Sequence, residues 1–345
     1  MQVTFNTAVS TSSFNDTTSF IVSGSVSGRH RGSFSFSGGN TIATFNPTTD
    51  FKNGEVVTVN VSSNVKDNTN TSVQSFVSQF TVDVSGGNGV FTNTSTVTVG
   101  NLPIGMTSGD LDNDGDIDIV TANDASNNLS LLKNNGLGNF QTDTVISVGD
   151  GSDYVILGEL NNDGNLDIFV TNRNSNTITV ILNNGNSNYT LLNTNVSSYP
   201  HSITYFDADG DGDLDIAVLH YFPSNSVSIL LNDGNGNLTV GNTFGVGSYP
   251  NFITSGDWDS DGDFDLAVSN SVAEQIAILK NDGKGIFTQT STVGVGSNPW
   301  YIVANDCDSD GDLDLAVANS YSDYVSILKN DGNGTYIQSS QINVN

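Results

Sequence analysis

Apolar residues in this chain seldom run together; over much of its length they alternate with Ser, Thr and Asn. In residues 1–85 the alternation marks six segments: VTFNTAV, SFIVSGSV, RGSFSFSG, TIATFNP, EVVTVNVSS and SQFTVDV. A period of two places every second side chain on one face of a strand. Each segment therefore predicts a half-buried strand, and together they predict a small β-sandwich. From about residue 88 a second, longer period is laid over the first. An opening strand recurs as PIGMTSGD, YVILGE, PHSITYFD, PNFITSGD and PWYIVAND. A third strand recurs as LSLLKNNG, ITVILNNG, VSILLNDG, IAILKNDG and VSILKNDG, and a fourth follows each of these. The Asn-Gly or Asp-Gly between third and fourth strands predicts a tight turn. Four short antiparallel strands per repeat of about 49 residues describe a propeller blade. The predicted fold class is all-β, with a sandwich over 1–85 and a β-propeller of five four-stranded repeats over 86–345.

Between the first and second strands of each repeat lies an acidic loop. It reads DLDNDGDIDIV from 110 and recurs from 159, 207, 257 and 306, at intervals of 49, 48, 50 and 49 residues. Like charges this close repel, and a merely solvated acidic run has no reason to return at a fixed period. In the windows 110–118, 159–167, 207–215, 257–265 and 306–314, oxygen donors hold positions 1, 3, 5 and 9 and Gly holds position 6. The donors are Asp110, Asp112, Asp114 and Asp118; Glu159, Asn161, Asp163 and Asp167; Asp207, Asp209, Asp211 and Asp215; Asp257, Asp259, Asp261 and Asp265; and Asp306, Asp308, Asp310 and Asp314. Position 7, expected to offer its backbone carbonyl, carries Asp116, Asn165, Asp213, Asp263 and Asp312. Hard oxygens in this number suit Ca²⁺, which takes about 6–8 of them at roughly 2.3–2.6 Å. The expectation is about five calcium ions, one per repeat. The second loop, with Glu159 and Asn161 where the others have Asp, is expected to bind most weakly.

The charge balance fits this reading. The chain has 37 acids against nine Lys and Arg, a net charge of −28, and 23 of the acids lie in the five loops. So acidic a chain is a poor partner for nucleic acid or an anionic membrane. No apolar run of 18 residues predicts a membrane span. The start, MQVTFNTAVS, lacks a signal-peptide pattern, so a secreted protein would be shown here as a mature form or an excerpt. The one cysteine, Cys307, holds loop position 2, where the other repeats have Leu111, Leu160, Ala208 and Trp258, and is read as a packing residue. His30, His201 and His220 fit no metal or triad spacing, and no G-x-S-x-G elbow occurs. No catalytic residue is assigned, and the chain is expected not to be an enzyme.

The repeated D-x-D-x-D-G-x-x-D loop at blade period resembles the FG-GAP/VCBS repeats of bacterial surface proteins and integrin α-chain propellers, over roughly residues 88–345. The resemblance implies a calcium-binding propeller serving extracellular adhesion or surface structure. Its alternatives are a carbohydrate-binding module of a secreted enzyme, or an extracellular filament subunit assembled by strand sharing. The segment TFNPTTDFKNGEVVTVNVSSNVKDNTN resembles bacterial Ig-like domains of the SbsA type. Such domains carry a strand before the one that starts at Gln2, so an excerpt or an edge filled by a neighbouring subunit is expected. The family often has seven blades; five are seen here, with GVFTNTSTVTV at 89–99 left over as a further fourth strand. The five blades either close or belong to a larger ring. The face opposite the calcium loops is expected to display Tyr154, Tyr199, His201, Tyr221, Phe222, Tyr249, Trp300, Tyr301 and Tyr321 toward a glycan or protein ligand. Asn-x-Ser/Thr sites, such as those at Asn15, Asn93, Asn188 and Asn333, are compatible with a glycoprotein. The expected location is extracellular or at the cell surface.

Overall fold

The computed structural model describes residues 1–25, 27–52, 55–82, 96–185 and 187–344. They form two compact units, Met1–Thr96 with Asn113–Ile117, and Val97–Asp112 with Asp118–Asn345. The expected boundary at 85/86 lies outside the described residues. So does most of the expected leftover strand at 89–99, and its described part, 96–99, forms no strand.

The first unit is the expected sandwich. Strands β1 (Gln2–Thr4), β2 (Phe20–Gly24), β3 (Gly28–Arg29), β4 (Gly32–Ser37), β5 (Ile42–Pro47), β6 (Val56–Val61) and β7 (Phe76–Thr81) make two antiparallel sheets, ordered β1-β5-β4 and β3-β2-β6-β7. The period-two pattern is kept faithfully in β2, where Phe20 and Val22 are buried and Ile21 and Ser23 are not. These side chains meet Phe45, Val57, Val59 and Val61 in one core. Phe14 and Phe34 pack edge-on at 5.5 Å, as do Phe20 and Phe34 at 5.2 Å, which adds about 0.5–1.5 kcal/mol per pair beyond area burial. Strand β1 is a sheet edge, and its three residues keep that edge short.

The second unit is a succession of five four-stranded antiparallel sheets, each with its strands in chain order. Blade 1 runs from Pro103 to Ser147, blade 2 from Ser152 to Asn195, blade 3 from Pro200 to Gly245, blade 4 from Pro250 to Gly294 and blade 5 from Pro299 to Asn343. The first strand of each blade lies against the first strand of the next, so the first strands are innermost. The acidic loops join first to second strands, as expected.

Two details depart from the sequence reading. The second strands do not keep the two-residue alternation found elsewhere in the chain: in blades 2, 3 and 4 all six positions are buried. The cause is packing on both faces: Ile168 and Val170 of blade 2 point back to blade 1, while Phe169 points forward to blade 3. Polar residues survive there because they are bonded, as where Thr171 Oγ1 donates to the His201 carbonyl at 3.1 Å. The Asn/Asp-Gly connection is a five-residue loop rather than a tight two-residue turn. In blade 3, Asp233 Oδ1 accepts from the amides of Asn235 and Asn237 at 3.0 and 3.2 Å. Gly234 and Gly236, at φ 73° and 81°, supply left-handed positions that other residues resist. The Asp thus opens an Asx-type loop.

Phe169, fully buried between blades 2 and 3, tests this packing. Phe169→Ala should lower the unfolding free energy in calcium buffer by about 3–5 kcal/mol, measured by chemical denaturation. A loss below about 1 kcal/mol would contradict a close-packed interface there.

Candidate metal sites and the opposite face

The acidic loops fold the same way because the same backbone positions need the same special conformations. Position 6 has φ between 89° and 101° in all five (Gly115, Gly164, Gly212, Gly262 and Gly311), a region open essentially to glycine. Position 4 is also left-handed, at Asn113, Asn162, Gly210, Ser260 and Ser309. The position-5 carboxylate then accepts from the position-7 amide, as in Asp211 Oδ1 with Asp213 at 2.9 Å and Asp261 Oδ1 with Asp263 at 3.0 Å.

Position 9 does more than was expected of a ligand. Oδ1 of Asp118, Asp167, Asp215, Asp265 and Asp314 accepts from the amide of an Asn at the end of the third strand, at 2.8–2.9 Å. In four of the loops Oδ2 accepts from the position-2 amide at 2.9–3.1 Å. One carboxylate therefore clamps the hairpin to the third strand. The third-strand Asn carries the link onward. Nδ2 of Asn183, Asn232, Asn281 and Asn330 donates to the position-2 carbonyl of the preceding blade, at 2.7–2.9 Å. The loops are thus wired blade to blade. Nothing in the sequence flagged these Asn residues except their repetition.

Carboxylates converge in four of the five loops. Oxygen atoms of Asp110, Asp112 and Asp118, of Asp207, Asp209 and Asp215, of Asp257, Asp259 and Asp261, and of Asp306, Asp308 and Asp314 lie within 4.8 Å of one another in each group. This donor set fits a hard divalent cation. Asp259 Oδ1 is buried with no hydrogen-bond partner among the described residues, an orphaned acceptor on a residue of the cluster. The side chains of Asp114, Asp211 and Asp310, and of the position-7 residues Asp116, Asp213, Asp263 and Asp312, are not members of these groups.

The second loop differs in kind. Glu159 Oε1 accepts from the amides of Asn161 and Asp163, both at 3.1 Å. The side-chain amides of Asn161 and Asn165 donate to the two oxygens of Asp163 at 3.2 and 2.9 Å. Amide donors here offset carboxylate charge as a cation would. Lysine does it in three other loops: Lys133 pairs with Asp112 at 3.1 Å, and Lys280 and Lys329 pair with Asp259 and Asp308. The matching third-strand position in blades 2 and 3 is Leu182 and Leu231. Among the described residues, loop 3 is therefore the acidic cluster without a lysine pairing to it.

Burial makes these carboxyls weak acids. It lifts Asp207 and Asp215 to about 6 and Asp167 and Asp265 to about 7. Glu159, Asp257 and Asp263 move the same way for the same cause. Without a cation, ionising them opposes the fold; with one, ionisation is what binding requires.

The other connections lie at the opposite end of the blades. There Tyr199, His201, Tyr221, Phe222 and Tyr249 form one ring cluster. Phe222 stacks on Tyr249 at 4.8 Å, Tyr249 meets Tyr221 edge-on at 5.7 Å, and Tyr221 reaches Tyr199 at 6.1 Å and His201 at 5.9 Å. Tyr154 and Tyr301 both pack on Phe252, at 5.9 and 4.0 Å. Trp300 and Tyr321 are exposed and make no ring contact among the described residues. The sequence reading missed the partner of His201: its Nδ1 lies 2.6 Å from Asp153 Oδ2. Asp153 and His201 hold the same repeat position in successive blades, six residues before the loop, which was the available signal. His220, by contrast, is buried and its pKa is pushed down to about 4; it bonds Ser228 within its own blade.

Fold and loops together define a repeat β-propeller whose blades each carry an acidic hairpin. The chain belongs to the FG-GAP-like repeat family, whose model matches residues 110–170, 159–218, 207–268 and 257–317; a bacterial Ig-like domain matches residues 1–82. Among curated proteins none matches the sequence significantly. Several solved structures resemble the fold. A candidate 6-phosphogluconolactonase from Bacteroides uniformis shares 18% identity with a TM-score of 0.61, covering 95% of this chain and 97% of its own. One from Bacteroides fragilis shares 19% with a TM-score of 0.60, covering 97% of each chain. The periplasmic gluconolactonase of Pseudomonas aeruginosa shares 18% with a TM-score of 0.57, covering 94% of this chain and 96% of its own. At such identities the likeness is one of fold. It overturns the expectation that the chain is not an enzyme. That expectation rested on missing motifs, and the fold proves to be one that a gluconolactonase uses. Among the described residues no helix is long and apolar enough to cross a membrane.

The loop chemistry makes three predictions. The raised carboxyls contribute stability that is full below about pH 4, their unfolded range, and is lost as pH rises through 6–7. In chelator the melting temperature should therefore fall from pH 5 to pH 8; His30 and His220, both lowered by burial, pull the other way, two groups against several. In calcium it should rise over the same range, because protons then compete with the metal. Calorimetry at both pH values checks this, and equal slopes with and without calcium would contradict it. The lysine pattern ranks the loops: fluorescence or calorimetric titration should give the tightest calcium uptake to loop 3. Asn161→Asp should tighten loop 2 at least several-fold.

Proposed function

We propose that this chain is a calcium-binding recognition module that works outside the cytoplasm, at a cell surface or in the extracellular space, in adhesion or surface architecture. The observation that carries the reading is the fourfold recurrence of converging aspartates at one end of the blades, set in loops whose backbone is already closed by the position-9 clamp. Calcium would be structural. It would neutralise carboxylates that burial makes costly to ionise, and so fix the first hairpin of each blade. The opposite end is then free for recognition. The cluster of Tyr199, His201, Tyr221, Phe222 and Tyr249 offers ring faces and edges beside polar atoms, the combination that suits sugar rings or an aromatic-rich protein surface.

A second reading rests on one contact. The Asp153–His201 pair, 2.6 Å apart, has the form of an oriented general base. The gluconolactonase likeness makes a sugar lactone the first substrate to try.

Asp261→Ala should lower the melting temperature by several degrees in calcium and leave it nearly unchanged in chelator; no difference in calcium would remove the structural role. On a glycan array, wild-type binding that Tyr221→Ala abolishes would support recognition by the aromatic cluster. An array without signal would count against a sugar ligand. For the second reading, gluconolactone hydrolysis followed by pH-stat should exceed the uncatalysed rate and collapse in His201→Ala. A wild-type rate equal to background rejects it.

A further inference from the structure

The four blade-to-blade interfaces repeat one design, and the fifth and first blades each present half of it uncovered. In blade 4 the forward face holds Phe252, Ala267, Ile276 and Ile278, all buried against blade 5. The same positions of blade 5 are Tyr301, Ala316, Val325 and Ile327. None of these is buried, and Tyr301 and its neighbour Val303 are 45% and 52% exposed. Loop position 2 tells the same story. Leu111, Leu160, Ala208 and Trp258 are at most 3% exposed, each tucked under the next blade; Cys307, expected to pack likewise, is exposed. The backward half is open on blade 1. Met106 occupies the position held by Val155, Ile203, Ile253 and Ile302, which are 1–2% exposed where they enter the preceding blade. Met106 is 70% exposed. Ile119 is only part-buried where its counterparts Ile168, Ile216, Leu266 and Leu315 are fully buried.

The asparagine wiring ends at the same two places. The Cys307 carbonyl receives no side-chain amide among the described residues, whereas the position-2 carbonyls of blades 1 to 4 each do. Asn134, the blade 1 member of the Asn series, gives no Nδ2 bond among the described residues. One end lacks a donor and the other lacks an acceptor.

We infer that the forward face of blade 5 docks the backward face of blade 1 of a second copy of this chain, so that copies join head to tail. The junction continues the existing series: Met106 and Ile119 of one copy enter the face formed by Tyr301, Val303, Val325 and Ile327 of the other, and Asn134 reaches the Cys307 carbonyl. The two faces differ, so the contact is heterologous and propagates or closes a ring. It joins packed sheet faces and shares no strand. A net charge of −28 per copy opposes the union, and salt near 1 M, with a Debye length of about 3 Å, screens that repulsion whether or not calcium binds.

The test is light scattering with size-exclusion chromatography on the full chain in molar salt, over a range of concentrations. The wild type should form oligomers. Val303→Asp and Met106→Asp change exposed side chains and should each give folded monomers by circular dichroism. Mixed, they should form dimers and nothing larger, because only one intact face of each kind remains. Cys307 should react with a maleimide in either monomer and be protected in the wild-type assembly. A wild type that stays monomeric at its solubility limit, or variants that assemble like it, would overturn the inference. Because no step depends on metal, that failure would leave the calcium reading standing.

Discussion

The structure depends on one carboxylate repeated five times. The aspartate at loop position 9 is buried in every blade and accepts a third-strand backbone amide; in four blades it also takes the amide of loop position 2. A carboxyl accepts these amides in either protonation state, and when ionised it makes stronger bonds than a neutral acceptor. It closes the hairpin and ties it to the third strand at once. The third-strand Asn passes the restraint to the preceding blade. The loop backbone is therefore set by hydrogen bonds, and the remaining carboxylates are held near one another whether or not they gain by it.

That enforced proximity sets up the electrostatic problem of the molecule. Burial raises the carboxyls toward neutral pH, and three lysines and several amides relieve the strain only in part. In loop 3 Leu231 stands where three other loops have lysine, and the relief the chain supplies is from backbone amides such as those of Gly210 and Gly212 on Asp207. On the proposed reading a divalent cation would supply the rest, with the chemistry these oxygens favour, and would leave the opposite end of the blades, with its ring cluster and its Asp153–His201 pair, free for recognition or reaction.

Much of this was legible in the sequence because it is periodic. The 49-residue repeat, the glycine at position 6 and the alternation of the sandwich strands each reflect a local backbone requirement, and local requirements leave local marks. What was not legible depends on neighbours. The burial of Phe169 and Ile168 on opposite faces of one strand needs a blade on each side. The role of Asn232 depends on Leu160, 72 residues earlier. Asp153 meets His201 across two blades. Asp233-Gly234 looked like a two-residue turn because the dipeptide is shared with such turns; the second glycine, Gly236, was the sign of a longer loop. Cys307 was read as buried because its repeat partners are, and it is exposed because no blade covers the forward face of blade 5 among the described residues.

The central claim is that the converging aspartates hold metal. Equilibrium dialysis against radiolabelled calcium, with protein concentration fixed by amino-acid analysis, counts ions per chain directly. The account predicts four ions, matching the four clusters, and a fifth of lower affinity from the second loop. Fewer than one ion bound per folded chain would contradict it.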